Sequence, residues 1–152
     1  MTSSEAEKLW VQTFVARDRR ERFLFLLGAG KRAKAMKKLS HQLDHDLDPR
    51  FVFDKEKPPP EVALQIKKVL DRWKHTNPAQ TCYIITHGHL PHEMMNLQKA
   101  QTSFELTFGA IIILIPDVLA YYHTERSNID IQPFYVLFHP VNAVQWLHST
   151  AD

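Results

Sequence analysis

The longest apolar run in the chain is Phe108-Gly109-Ala110-Ile111-Ile112-Ile113-Leu114-Ile115, closed by Pro116-Asp117. It falls far below the ~20 residues that a helix needs to cross a bilayer. Its β-branched side chains crowd a helix and suit a pleated sheet. Gly109 to Ile115 is therefore expected as a buried strand, whose backbone groups need paired neighbours. Cys82 to Thr86, Val118 to His123 and Phe134 to His139 supply them. The last three of these four strands follow one another with short connections and a polar loop at 124–132, the pattern of an antiparallel meander.

The first half of the chain has a different period. Trp10, Val11, Phe14 and Val15 form an apolar stripe on a helix from Ser4 to Val15. Ser3 or Ser4 is the expected cap, and Glu5 and Glu7 sit in a first turn that favours negative charge. The pattern continues through Phe23, Leu26 and Leu27 to Gly28, with a possible break where Arg17 to Arg22 is polar all round. A further helix is expected from about Lys31 to Leu47, with Met36, Leu39, Leu43 and Leu47 inward. Asp48-Pro49 ends it, because the residue before proline avoids the helical region. Residues 49–60, with Pro58-Pro59-Pro60, read as a stiff connector. Glu61 to His75 is an amphipathic helix whose apolar side is Val62, Ile66, Val69, Leu70 and Trp73. Helices are also expected over 93–106 and, carrying Trp146, over 141–148.

Helices first and then a β-α-β-β-β segment define an α+β fold. The expectation is a small, mostly antiparallel sheet with helices on one face. At 152 residues and 44% apolar content the chain can bury a real core as a single domain. That domain has a helical, basic part (1–75) and a sheet-containing, acidic part (76–152). Residues 1–75 hold 17 Lys and Arg against 11 Asp and Glu; residues 76–152 hold 2 against 6. The lone cysteine, Cys82, forms no internal disulfide and fits a reducing compartment. The polar, acidic start shows no secretory leader. A cytoplasmic protein with no membrane partner is expected.

Two clusters carry candidate chemistry. Within residues 17–38 lie Arg17, Arg19, Arg20, Arg22, Lys31, Arg32, Lys34, Lys37 and Lys38, against Asp18 and Glu21 alone. Such density suits an anionic partner, an acidic protein surface or a nucleic acid. Arg17, Arg20, Lys34, Lys37 and Lys38 are the expected contacts. A plain solvated face is the alternative. The second cluster is His87, His89, His92 and Glu93, at a strand exit. Imidazole and carboxylate groups so spaced suit zinc or another divalent metal, and equally a polar turn set by Gly88 and Pro91. Thr86-His87-Gly88-His89-Leu90-Pro91-His92 resembles the metal-binding signature of the metallo-β-lactamase superfamily, which also follows a strand. The resemblance covers seven residues and implies His87, His89 and His92 as metal ligands. It departs from the family at Pro91, where the family has an aspartate that binds a second metal. That family's fold also needs more strands and more length than this chain offers.

Weaker signals complete the inventory. Gly28-Ala29-Gly30-Lys31 lacks the span and the Ser/Thr of a phosphate loop and reads as a helix–helix turn. His41 and His45, near Asp44 and Asp48, share a helix stripe with Lys34 and Lys38, whose charge opposes a cation. Tyr121-Tyr122-His123 with Tyr135 and His139 fit an aromatic sheet face or plain cross-strand packing. The expected function is a small non-catalytic interaction or regulatory domain that binds an acidic macromolecule through basic N-terminal helices and has no cofactor. The alternative is a metal-dependent enzyme, a hydrolase among the options, centred on residues 87–92.

Overall fold

The computed structural model describes residues 2–28, 46–54, 57–85, 94–104, 110–123 and 134–150. Along these residues run α1 (Ser3–Phe14), a 3-10 turn (Arg17–Arg19), α2 (Arg20–Gly28), a second 3-10 turn (Pro49–Phe51) and β1 (Val52–Asp54). Then come α3 (Pro60–Thr76), β2 (Thr81–Ile85), β3 (Met94–Asn96) and α4 (Leu97–Phe104). The last elements are β4 (Ala110–Ile115), β5 (Leu119–His123), β6 (Phe134–Phe138) and α5 (Pro140–Thr150).

The six strands make one sheet in the order β1-β6-β5-β4-β2-β3, antiparallel at every step. The fold is α+β, and β4, β5 and β6 form the expected meander. Pairing is in register through the centre: Ile111 faces Tyr122, and Tyr122 faces Tyr135.

Two short strands lie where other structure was expected. β1 comes from the connector at 49–60, and β3 from the start of the helix expected over 93–106. Met94 and Met95 have good helix propensity, but three residues paired to β2 override it. The helix starts only at Leu97, where the Asn96 side chain accepts the Gln98 N–H at 2.9 Å and so caps it.

The helices cover both faces of the sheet, which corrects the expectation of one. Alternation sends Ile85, Ile111, Ile113, Ala120, Tyr122 and Leu137 to the face under Trp10, Val11 and Phe14 of α1 and Phe23 of α2. It sends Cys82, Ile84, Ile112, Leu114, Tyr121 and Val136 to the opposite face, under Ile66, Val69 and Trp73 of α3, Leu97 and Ala100 of α4, and Ala143 of α5. A strand apolar at every position, as β4 is, is stable only when both faces are dry. Each fully buried large side chain contributes roughly 1.5–3 kcal/mol.

Caps and turns fix the helix ends. Thr2, rather than Ser3 or Ser4, caps α1: its Oγ1 accepts the Glu5 N–H at 3.2 Å, and the Glu5 carboxylate accepts the Thr2 N–H at 2.8 Å. The end of α1 is held by the segment before the second 3-10 turn. Ala16 N–H donates to the Asp46 carbonyl at 2.7 Å, and Asp48 N–H donates to the Phe14 carbonyl at 2.8 Å. After α3 the chain reverses through Gln80, which holds φ at 51°. The Gln80 carbonyl accepts the Leu97 N–H at 2.8 Å, which ties the turn to α4.

Candidate functional site

The basic corner between α1 and α2 is built by a break in helical geometry. Val15 and Ala16 are extended, and the 3-10 turn lifts Arg17 and Arg19 into solvent. Arg22, on the first turn of α2, is exposed as well, while Phe23 beside it is buried. Arg20 has a different role from its neighbours. It is half-buried, and its Nε donates to the Val15 carbonyl at 2.9 Å, closing the end of α1. Of the two arginines expected as contacts, Arg17 is therefore presented to solvent and Arg20 is tied to the backbone. Arg19 lies 3.8 Å from Asp18, both well exposed, a pairing worth little in water. Among the described residues, neither Arg17 nor Arg22 has an ion pair. Lys34, Lys37 and Lys38 lie outside the described residues, as do Lys31 and Arg32.

His87, His89, His92 and Glu93 also lie outside the described residues. The described ends that flank them are Ile85 and Met94, on strands paired antiparallel. Among the described residues no group of three or more His, Cys, Asp or Glu side chains suits a metal. His41, His45 and Asp44 fall outside the described residues too. Gly28 ends α2 with open space around it, and the rest of Gly28-Ala29-Gly30-Lys31 is likewise not described.

The tyrosines divide between the layers as alternation requires. Tyr122 packs under α1 and stacks on Tyr135 at 6.5 Å, and Tyr121 is buried on the other face. Burial pushes the Tyr121 hydroxyl up to about 12. Neither forms an open aromatic pocket. Cys82 is fully buried, its thiol donates to the Met95 carbonyl at 3.2 Å, and burial pushes its pKa up to about 12. A thiol so placed is no nucleophile.

His139 separates from the tyrosines and takes a structural post. Its Nδ1 accepts the Asn142 N–H at 3.1 Å, so it caps α5, and its ring lies 4.3 Å from that of Phe51. Arg50 also packs on Phe51: its guanidinium sits 4.9 Å from the Phe51 centroid and binds Asp48 at 2.7 Å. Desolvation first, and then the nearby Arg50 charge, lower the His139 pKa. The hydrogen bond from Arg50 is the main cause that holds the Asp48 carboxyl below its ordinary value. This stack joins the second 3-10 turn to the start of α5, a link between residues some ninety positions apart that local sequence pattern does not encode.

A surface that sequence reasoning missed lies on the outer side of α3. An open groove of about 490 Å³ is lined by Lys68, Asp71, Arg72 and His75, with Leu147 of α5. The helical period gave the buried side of α3 and left its outer side as solvated surface. No described helix is long and apolar enough to cross a membrane. No family model, curated protein or solved structure matches the chain.

Proposed function

We propose that the protein is a small, non-catalytic interaction or regulatory module of the cytoplasm that binds an acidic macromolecule through its basic N-terminal helices. The observation that supports this most is the α1–α2 corner, where Arg17, Arg19 and Arg22 stand exposed and two of the three have no ion pair among the described residues. Exposed guanidinium groups present planar, paired donors to carboxylates and phosphates. Arg17, Lys34, Lys37 and Lys38 are the proposed contacts, and Arg20 sets the corner's shape. The lone buried thiol supports a reducing compartment. β1 from the basic half and β6 from the acidic half share one sheet, which supports a single domain.

Charge reversal tests the proposal. Polyglutamate and a single-stranded oligonucleotide represent the two kinds of acidic partner. Arg17→Glu with Arg22→Glu, and separately Lys34→Glu with Lys37→Glu and Lys38→Glu, should abolish binding to one of them while the fold stays intact. Parental affinity in both variants for both probes contradicts the proposal. Metal-dependent chemistry at His87, His89 and His92 gains no support from the described residues. Near-stoichiometric zinc or another divalent metal in tag-free protein, lost with His87→Ala and His89→Ala, would restore it.

A further inference from the structure

We propose that the groove between α3 and α5 binds an acidic, amphipathic helical segment of a partner protein. The site goes beyond the basic corner and is separate from it: α1 and α2 cover one face of the sheet, α3 and α5 the other.

The groove combines apolar surface with positive charge. Ile66, Val69 and Trp73 anchor α3 on the sheet, so its outer stripe is free to serve something else. Leu64, Lys68, Asp71 and His75 follow one another on that stripe at spacings of three and four, with Arg72 beside them. Leu64 is 55% exposed. Across the groove α5 adds Leu147; Val144 at 46% exposure and Val141 at 63% lie earlier on the same helix, outside the groove's lining. Leu64, Val144 and Val141 are exposed aliphatic side chains on the two packed helices that form the groove, and an amphipathic helix covers such side chains with its own apolar face.

Charge complementarity selects an acidic occupant. Lys68 and Arg72 lie at i and i+4, where like charges repel in the free helix. Neither has an ion pair among the described residues. Lys67 and Lys74 add to the same helix, and α5 contributes no carboxylate to balance them. Carboxylates of a docked helix would relieve that repulsion and steer its approach. The lining favours protein over nucleic acid. Its one ring is the His75 imidazole, with no Phe, Tyr or Trp to make a stacking platform, and the Asp71 carboxylate repels phosphate.

The probe is a synthetic amphipathic helix with leucines on one face and glutamates on the other; its partner probe carries lysine in place of glutamate. Titrated into the isotopically labelled full chain, the acidic peptide should shift amide signals of residues 64–75 and 141–148. Lys68→Glu with Arg72→Glu should weaken it at least tenfold, and Val144→Ser should weaken it measurably. Lys68 and Val144 are exposed, Arg72 is half-buried and none of the three is in the core, so circular dichroism should match the parent. Arg17→Glu with Arg22→Glu should leave this binding unchanged, which separates the groove from the corner. The proposal is overturned by shifts confined to the α1–α2 corner, by equal binding of the lysine peptide, by parental affinity in Lys68→Glu/Arg72→Glu, or by no binding at all.

Discussion

The two faces of the sheet are dry for different reasons. Under α1 and α2 the helices contribute a cluster of rings: Trp10 lies 6.0 Å from Phe23 and 6.3 Å from Phe14, and Phe14 meets Phe51 edge-on at 6.3 Å. Under α3, α4 and α5 aliphatic side chains are the larger share, with Trp73, Tyr121 and Phe138 as the buried rings. A few big rings concentrate burial in a few positions, whereas many small branched chains spread it. The two layers meet at a joint, where Phe51 touches Phe14 on one side and His139, the cap of α5, on the other. The contrast teaches that stability under α1 and α2 should depend more heavily on single large residues than it does under α3, α4 and α5.

The largest effect should come from Trp10→Ala, at about 4 kcal/mol, against about 3 kcal/mol for Ile84→Ala on the other face. Urea unfolding of both variants checks the order, and a larger loss at Ile84 breaks the comparison. Trp10→Phe sharpens it. The Trp10 indole N–H is buried without a hydrogen-bond partner among the described residues, so losing it should offset part of the lost volume.

The joint should give intermediate effects. His139→Ala removes the cap of α5 and should cost about 1 kcal/mol, while His139→Asn, which retains a capping acceptor, should cost less. The His139 pKa is lowered on folding, so its contribution is fully present above the ordinary histidine value of about 6.5 and is lost as pH falls through the folded value. His139→Asn should flatten the stability profile in that window. Asp48 is also lowered, so its pairing with Arg50 is fully present above about pH 4 and is lost at more acid pH as the carboxyl protonates. Denaturant midpoints across pH, compared with Asp48→Asn, separate the two windows.

The smallest effect on stability belongs to the corner. Arg17→Glu with Arg22→Glu should stay within about 0.5 kcal/mol of the parent, because neither residue supports packing. Loss of stability there would mean that the corner is architecture rather than contact surface. Cys82 gives a parallel check on the aliphatic face. A thiol reagent should leave it untouched in the native protein and label it once denaturant unfolds the chain.

Much of this architecture is legible in the sequence because local pattern carries it. The 3.6-residue period gives α1 and the buried side of α3, and the branched run gives β4. Asp48, the residue before Pro49, is extended as expected, and its side chain accepts the Arg50 N–H at 3.1 Å. What the pattern does not carry is long-range pairing. β1 and β3 are strands only because β6 and β2 lie beside them. The second helical layer was implied by β4 itself, since Ile112 and Leu114 need the same shelter as Ile111 and Ile113. The groove escaped notice because outer helix positions look alike until a second helix, here α5, forms the other wall. Of the candidate sites, Arg17 and Arg20 are described and differ in role, while the histidine cluster and the three lysines fall outside the described residues.

One measurement tests the proposed function most directly: the salt dependence of binding to polyglutamate and to a single-stranded oligonucleotide, from about 50 to about 200 mM salt. With the corner as the binding surface, affinity for one probe falls steeply with salt, and the slope flattens when Arg17, Arg22, Lys34, Lys37 and Lys38 are all reversed to glutamate. A slope that is flat in the parent, or unchanged in the variant, contradicts the account.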